Sequence, residues 1–220
     1  MKSRSIARGL AAFFILSMAA GQVRGADTLE ALEKTYGAVK TVEARFSQKI
    51  SIAALKRERK MEGDFFYKRS KGFLWRYSSP QEKTFLYDGT AIWQEEKEKP
   101  FVIRDRVDKE RLEGTFLDLV DDVTRLDRLF AVKEVGRESG MEILELVPKK
   151  EGTLKSARIW VDDHYLIKKI EIDEITGNKN VIEFSDVKIN RPVADSLFVF
   201  KAGGREIIDS RGQASGTSPP

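Results

Sequence analysis

The sequence predicts an α+β fold: a strongly curved, incompletely closed antiparallel β-sheet with helices covering its concave hydrophobic face. Three observations lead there. Apolar and polar residues alternate through most of the chain, the period of strands with one buried face. Short turn signals separate the alternating runs, so successive strands pair as neighbours. Two other stretches place apolar residues three and four apart, as on a helix. A sheet of roughly ten strands curls, and its apolar face needs a cover that the helical stretches can supply. At 220 residues and 41% apolar content, the chain suits one globular domain.

The first element is a leader. Lys2, Arg4 and Arg8 precede an apolar run from Gly9 to Ala20, and small residues follow through Gly25 and Ala26. These are the three parts of a secretory signal peptide, so residues 1–25 are expected to be removed, leaving a mature start near Ala26 or Asp27. The apolar run falls short of the ~20 residues that span a bilayer. Leu29, Leu32, Tyr36 and Val39 then recur at helical spacing, with Asp27 or Thr28 as cap and Gly37 or Lys40 near the end.

From Val42 the period becomes two. "ARFSQKISI" leads to "RERKMEGDFFYKR", in which Met61, Gly63, Phe65 and Tyr67 share a face. Phe73, Trp75 and Tyr77 share a face of "GFLWRYSS", and "KTFLYDGTAIWQEE" reads as two strands across an Asp88-Gly89 turn. Between about Asp108 and Phe130 the spacing of Leu112, Phe116, Leu119, Val123 and Leu126 predicts one or two short helices. Strand patterning resumes in "LFAVKEV", "MEILELVP", "KSARIWVDD", "LIKKIEIDE" and "NVIEFSDVKIN". The segment "RPVADSLFVFKAGGREIID" reads as a loop or helical turn, a buried Leu197, Phe198 and Phe200, and a last short strand. The folded domain is thus expected over residues 26–209, with a polar, disordered tail over 210–220.

Composition excludes several function classes. The leader's Lys2, Arg4, Arg8 and Arg24 account for the whole formal excess of +4, so the mature chain has no global field to attract nucleic acid. Cysteine is absent, which removes disulfides, thiolate metal sites and a lipidated N-terminus. The single histidine, His164, lies in a turn without a second histidine to complete a metal site. No nucleophile elbow or phosphate-cradling glycine loop occurs, and the carboxylates are scattered among basic residues. No catalytic residue, metal site or cofactor is expected. The basic run "LKRERK", Leu55 to Lys60, is either a solvated hairpin or a docking patch for an acidic protein surface or lipid headgroups.

The aromatic stripe Phe65, Tyr67, Phe73, Trp75 and Tyr77 reads as sheet core or as the wall of a cavity. Strict alternation turns Arg69 to the same side as Met61, Phe65 and Tyr67. There the guanidinium needs acceptors, unless fraying at the strand end lets it reach water.

At these residues the chain resembles the periplasmic outer-membrane lipoprotein carriers of Gram-negative bacteria, the LolA family. The likeness rests on "ARFSQK", "GDFFYKRSKGFLWRYSSPQEKTFLYDGTAIW", "ELVPK" and "LFVFKAGGREIID". Its most specific part is the ordered set Arg69, Phe73, Trp75, Pro80, Asp88, Gly89 and Trp93. The resemblance implies an unclosed half β-barrel whose hydrophobic side, lidded by helices, accepts the acyl chains of lipoproteins in the periplasm. It implies a cavity lined by Met61, Phe65, Tyr67, Phe73, Trp75, Tyr77 and Trp93, with Leu112, Phe116 and Leu119 from the helical insert. Arg69 would latch the lid. Implied partners are lipoproteins, an inner-membrane ABC-type releasing complex and, where present, an outer-membrane receptor. The family usually carries proline where this chain has Ser70. A monomer is expected, and a sensor module of an envelope stress response on the same half-barrel is the alternative.

Overall fold

The computed structural model describes residues 24–107 and 123–210. Helix α1 (Arg24–Ala38) starts upstream of both expected caps. Asp27 therefore lies in its first turn, where a carboxylate complements the helix dipole. Thr28 is buried, and its hydroxyl donates to Glu134 at 3.5 Å.

Strands β1 (Thr41–Ile52), β2 (Arg57–Lys68), β3 (Gly72–Ser79), β4 (Lys83–Tyr87), β5 (Ala91–Glu96) and β6 (Phe101–Arg106) form one meander. A short 3₁₀ turn (Val123–Arg125) and helix α2 (Leu126–Leu129) lead into the second: β7 (Phe130–Glu138), β8 (Met141–Pro148), β9 (Leu154–Val161), β10 (Ile167–Glu174) and β11 (Lys179–Ile189). A 3₁₀ turn (Asp195–Phe198) precedes the last strand, β12 (Glu206–Asp209). The strands make a single 12-stranded sheet in the order β12-β6-β5-β4-β3-β2-β1-β11-β10-β9-β8-β7. Antiparallel pairing of β1 with β11 joins the meanders, and among the described residues β7 and β12 are left as the edges of an unclosed sheet. Two features were not anticipated: β6 itself, and its parallel pairing with β12.

One face carries the main core. Leu32 of α1, Phe46, Phe65, Trp75, Leu126, Phe130, Leu144, Ile159 and Ile182 are all buried there, each hydrophobic side chain of this size contributing about 1.5–3 kcal/mol. Leu29 and Tyr36 of α1 pack against the same cluster. Of the expected insert, Leu112, Phe116 and Leu119 lie outside the described residues, as do most of the leader and nearly all of the tail.

The sequence suggested a single apolar face, and here the structure differs. Phe66, Leu74, Leu86 and Trp93 are successive cross-strand partners across β2–β5, out of phase with the row Phe65, Trp75 and Phe85. They form a second cluster with Val193, Leu197, Phe198 and Phe200 from the segment that crosses the back of the sheet. Lys68 ties that segment down, its ammonium donating to the Val193 carbonyl at 2.8 Å and pairing with Asp195.

Candidate functional site

The main core is not filled throughout. Between the C-terminal half of α1 and the sheet lies an apolar cavity of about 90 Å³. Val42 and Ala44 of β1, Phe65 and Tyr67 of β2, and Trp75 of β3 form one wall. Ile167 and Ile170 of β10 with Phe184 and Val187 of β11 form the other, while Tyr36, Val39, Val123 and Thr124 close it from the helical side. The Phe65 and Trp75 rings are 4.6 Å apart, and Phe184 sits 5.9 Å from each.

Phe184 and Val187 line the same cavity although they lie three positions apart along a strand, which strict alternation would put on opposite faces. A β-bulge explains this. The pairing steps from Glu43↔Lys188 to Arg45↔Ser185, and Asp186 takes a left-handed conformation with φ 51°. One extra residue resets the alternation, returning Val187 to the face that Phe184 already occupies.

Arg69 stands at the rim. Its Nε donates to the Val39 carbonyl at 2.9 Å, and its Nη2 donates to the carbonyls of Tyr36, Gly37 and Val39 at 2.7, 3.1 and 2.7 Å. The last carbonyls of a helix lack intrahelical donors, and the planar guanidinium meets several at once. Arg69 is nonetheless an exposed residue, not a buried one. β2 ends at Lys68, so strand alternation no longer sets the direction of the next side chain.

The adjoining turn explains the serine. Lys71 N–H donates to the Lys68 carbonyl at 3.0 Å, and Ser70 sits at φ 65°. Proline is fixed near φ −65° and cannot adopt that turn. The hairpin here therefore takes a shape that the proline of the family pattern would forbid.

Tyr36 fixes the same helix end from within. Its hydroxyl oxygen accepts the Ile167 N–H at 3.1 Å, and burial pushes its pKa up to about 12. Among the described cavity-lining residues, Arg69 carries the only charge.

Phe65, Tyr67, Trp75 and Arg69 thus meet at one site. Phe73 and Tyr77 share the face without lining the cavity: Phe73 packs on Tyr87 at 5.3 Å, and Tyr77 stands edge-on to Phe46 at 5.1 Å. The Tyr77 hydroxyl donates to Gln48 at 2.8 Å. Met61 pairs with Gln48, half-buried, farther along β2. Trp93 is not brought to the cavity; it belongs to the back-face cluster, stacked on Phe200 at 4.5 Å with Nε1 donating to Asp88 at 2.7 Å. Sequence reasoning missed Val42, Ala44, Ile167, Ile170, Phe184 and Val187. The strand register sets Val42 opposite Tyr67 and Ala44 opposite Phe65, while the β10 and β11 residues reach the cavity through the β1–β11 pairing that joins the two meanders; only their alternation was visible beforehand.

Fold and site define a single-sheet protein with an apolar cavity between an unclosed sheet and a helix end. A model of the family described as outer membrane lipoprotein carrier protein LolA matches residues 37–201, and the chain belongs to that family. It is 24% identical over 189 residues to an outer-membrane lipoprotein carrier protein of Nitrosospira multiformis, covering 86% of this chain and 89% of that one. A protein of the same name from Cupriavidus taiwanensis is 26% identical over 204 residues, covering 91% and 95%. The solved structure of an uncharacterized conserved protein from Thermus thermophilus superposes with a TM-score of 0.53 at 8% identity. It covers 84% of this chain and 98% of that one, a likeness of fold alone.

Proposed function

We propose that the protein is a periplasmic carrier that binds the acyl chains of lipoproteins released from the inner membrane and delivers them to the outer membrane. The observation that carries this reading is the apolar cavity whose only charged lining residue among those described, Arg69, is engaged with helix carbonyls. Family membership supports the cargo class. The leader supports the compartment, and no described helix is long and apolar enough to cross a membrane.

At about 90 Å³ the cavity is far smaller than the ~300–1,000 Å³ pockets that enclose drug-sized ligands. Acyl chains therefore enter by parting α1 from the sheet, and the Arg69 hydrogen bonds are the latch that must yield. Each methylene sheltered from water contributes about 0.8 kcal/mol, which offsets the lost hydrogen bonds after a few carbons. Release to the next partner needs only a difference in affinity, so the reading requires no covalent step. The cargo would come from an ABC-type releasing complex and pass to an outer-membrane receptor where one exists.

The test is release of a triacylated lipoprotein from spheroplasts by protein purified from the periplasm. The expected result is a soluble complex of the two. Lipoprotein that stays on the spheroplast membrane at saturating protein overturns the reading. Capture instead by the periplasmic part of an inner-membrane regulator would favour a sensor.

A further inference from the structure

We infer that two adjacent hairpin tips, centred on Leu55 and Ile175, form a docking site for a bilayer surface bearing anionic headgroups. This goes beyond the carrier reading and does not depend on what the cavity holds. The β1–β2 connection is a 3₁₀ turn (Ala53–Leu55) closed by Lys56 in a left-handed conformation. Its Ala53 N–H donates to the Asn178 side chain at 3.1 Å, and Gly177 lies against the Ala53 methyl group. The β1–β2 and β10–β11 tips are therefore in contact. The second is braced in turn, with Glu174 N–H donating to the Asn178 carbonyl and Ile175 N–H to the Thr153 carbonyl, both at 3.0 Å.

Each tip presents a large aliphatic to water. Leu55 is 59% exposed and Ile175 66%, among the most exposed of the large hydrophobics in the described residues. Around Leu55 stand Lys56, Arg57, Arg59 and Lys60, all exposed and without a carboxylate partner among the described residues. The acid within the run is already engaged: Glu58 is 3.6 Å from Lys49 and accepts from Ser51 at 3.1 Å. The cations are thus left for an outside partner.

A lipid surface matches both halves of this pattern. Aliphatic tips enter the headgroup region singly, without needing shaped pockets, while the surrounding cations meet lipid phosphates. An acidic protein surface would meet the cations but leave two protruding aliphatics to be matched by separate pockets. The 12 residues of β2 separate this end from Arg69 by roughly 40 Å, so changes at the tips leave the cavity intact.

The experiment is co-sedimentation of the exported, processed protein with phosphatidylethanolamine–phosphatidylglycerol vesicles and with phosphatidylcholine vesicles, at low and high salt. Preferential binding to the anionic vesicles, lost at high salt, is expected. Lys56→Gln, Arg57→Gln, Arg59→Gln and Lys60→Gln together should weaken it about tenfold or more. Leu55→Ser with Ile175→Ser should weaken it severalfold without changing its salt dependence. Equal binding to both vesicle types, no binding, or unaltered binding by these variants overturns the inference. Retention on polyglutamate with no vesicle binding overturns it in favour of an acidic protein partner. Acyl-chain uptake from detergent, measured on the same variants, should be unchanged, so failure of docking and failure of the carrier reading remain distinct results.

Discussion

Replacing Arg69 with leucine leaves the carbonyls of Tyr36, Gly37 and Val39 to water, which can still reach the exposed side of this site. The cost in stability is therefore small, about 1–2 kcal/mol by thermal or denaturant unfolding. Its effect on cargo should be larger: uptake persists while onward transfer falls, because the closed state is no longer favoured over the loaded one. Equal transfer by Arg69→Leu and the unaltered protein would leave the arginine a structural role only. Tyr36→Phe makes a different demand. It strands the buried Ile167 N–H, and about 1–3 kcal/mol of stability should be lost. Burial holds Tyr36 and Tyr77 protonated up to about 12, against about 10 in an unfolded chain. The unfolded state thus sheds these protons first. Their contribution is complete below about pH 10 and is lost as pH rises through about 12. Thermal melts across that window should show a steep decline that is shallower in Tyr36→Phe and Tyr77→Phe.

At the level of elements, the β4–β5 hairpin shows what alternation reveals and what it hides. The period-two pattern correctly grouped Phe65, Tyr67, Phe73, Trp75 and Tyr77, because consecutive strands joined by short turns keep their phase. Trp93 was grouped by its ring and not by its partner; it pairs with Leu86, whose side chain faces the back of the sheet. Phe184 and Val187 could not both be assigned to one face without knowing of the bulge at Asp186. β6 pairs with β5 across a short turn, but its second pairing, with β12 about a hundred residues away, has no local signal. The Arg69 contacts were legible as chemistry, a multi-donor cation needing carbonyls, but its exposure depended on where β2 stops. The same hairpin offers an acid-side prediction. Burial raises the Asp88 pKa, but hydrogen bonds from Trp93, Thr90 and Ala91 outweigh it and hold the group below its ordinary value. Its stabilisation is present above about pH 4 and is lost as pH falls through the depressed value. Asp88→Asn should flatten the acid limb of the stability profile, and Trp93→Ala, which empties the stack on Phe200, should cost about 3–5 kcal/mol.

For the molecule as a whole, the fold class follows from counting strands and asking what covers them. The open sheet was expected, but which strands form its edges, the two-sided apolar packing of β2–β5 and the site of the cavity follow only from register. The two halves of the sheet are not equally supported. β3 and β4 are held by core on one side and by the Val193–Phe200 segment on the other, whereas β11 at its bulge faces charged residues, Arg45 and Asp186 among them, on its outer side. Native-state hydrogen exchange should find the slowest amides in β3 and β4 and distinctly faster ones around Asp186. Uniform protection across the sheet would contradict this.

That bulge has a mechanical meaning. A ladder missing one rung is the compliant place in an otherwise stiff plate, and this one lies at the β1–β11 seam where the two meanders join, with Val187 and Ala44 on its cavity side. The sheet can therefore act as two leaves on a common spine. Admitting a bulky guest would then widen the angle between the leaves and leave the packing within each intact.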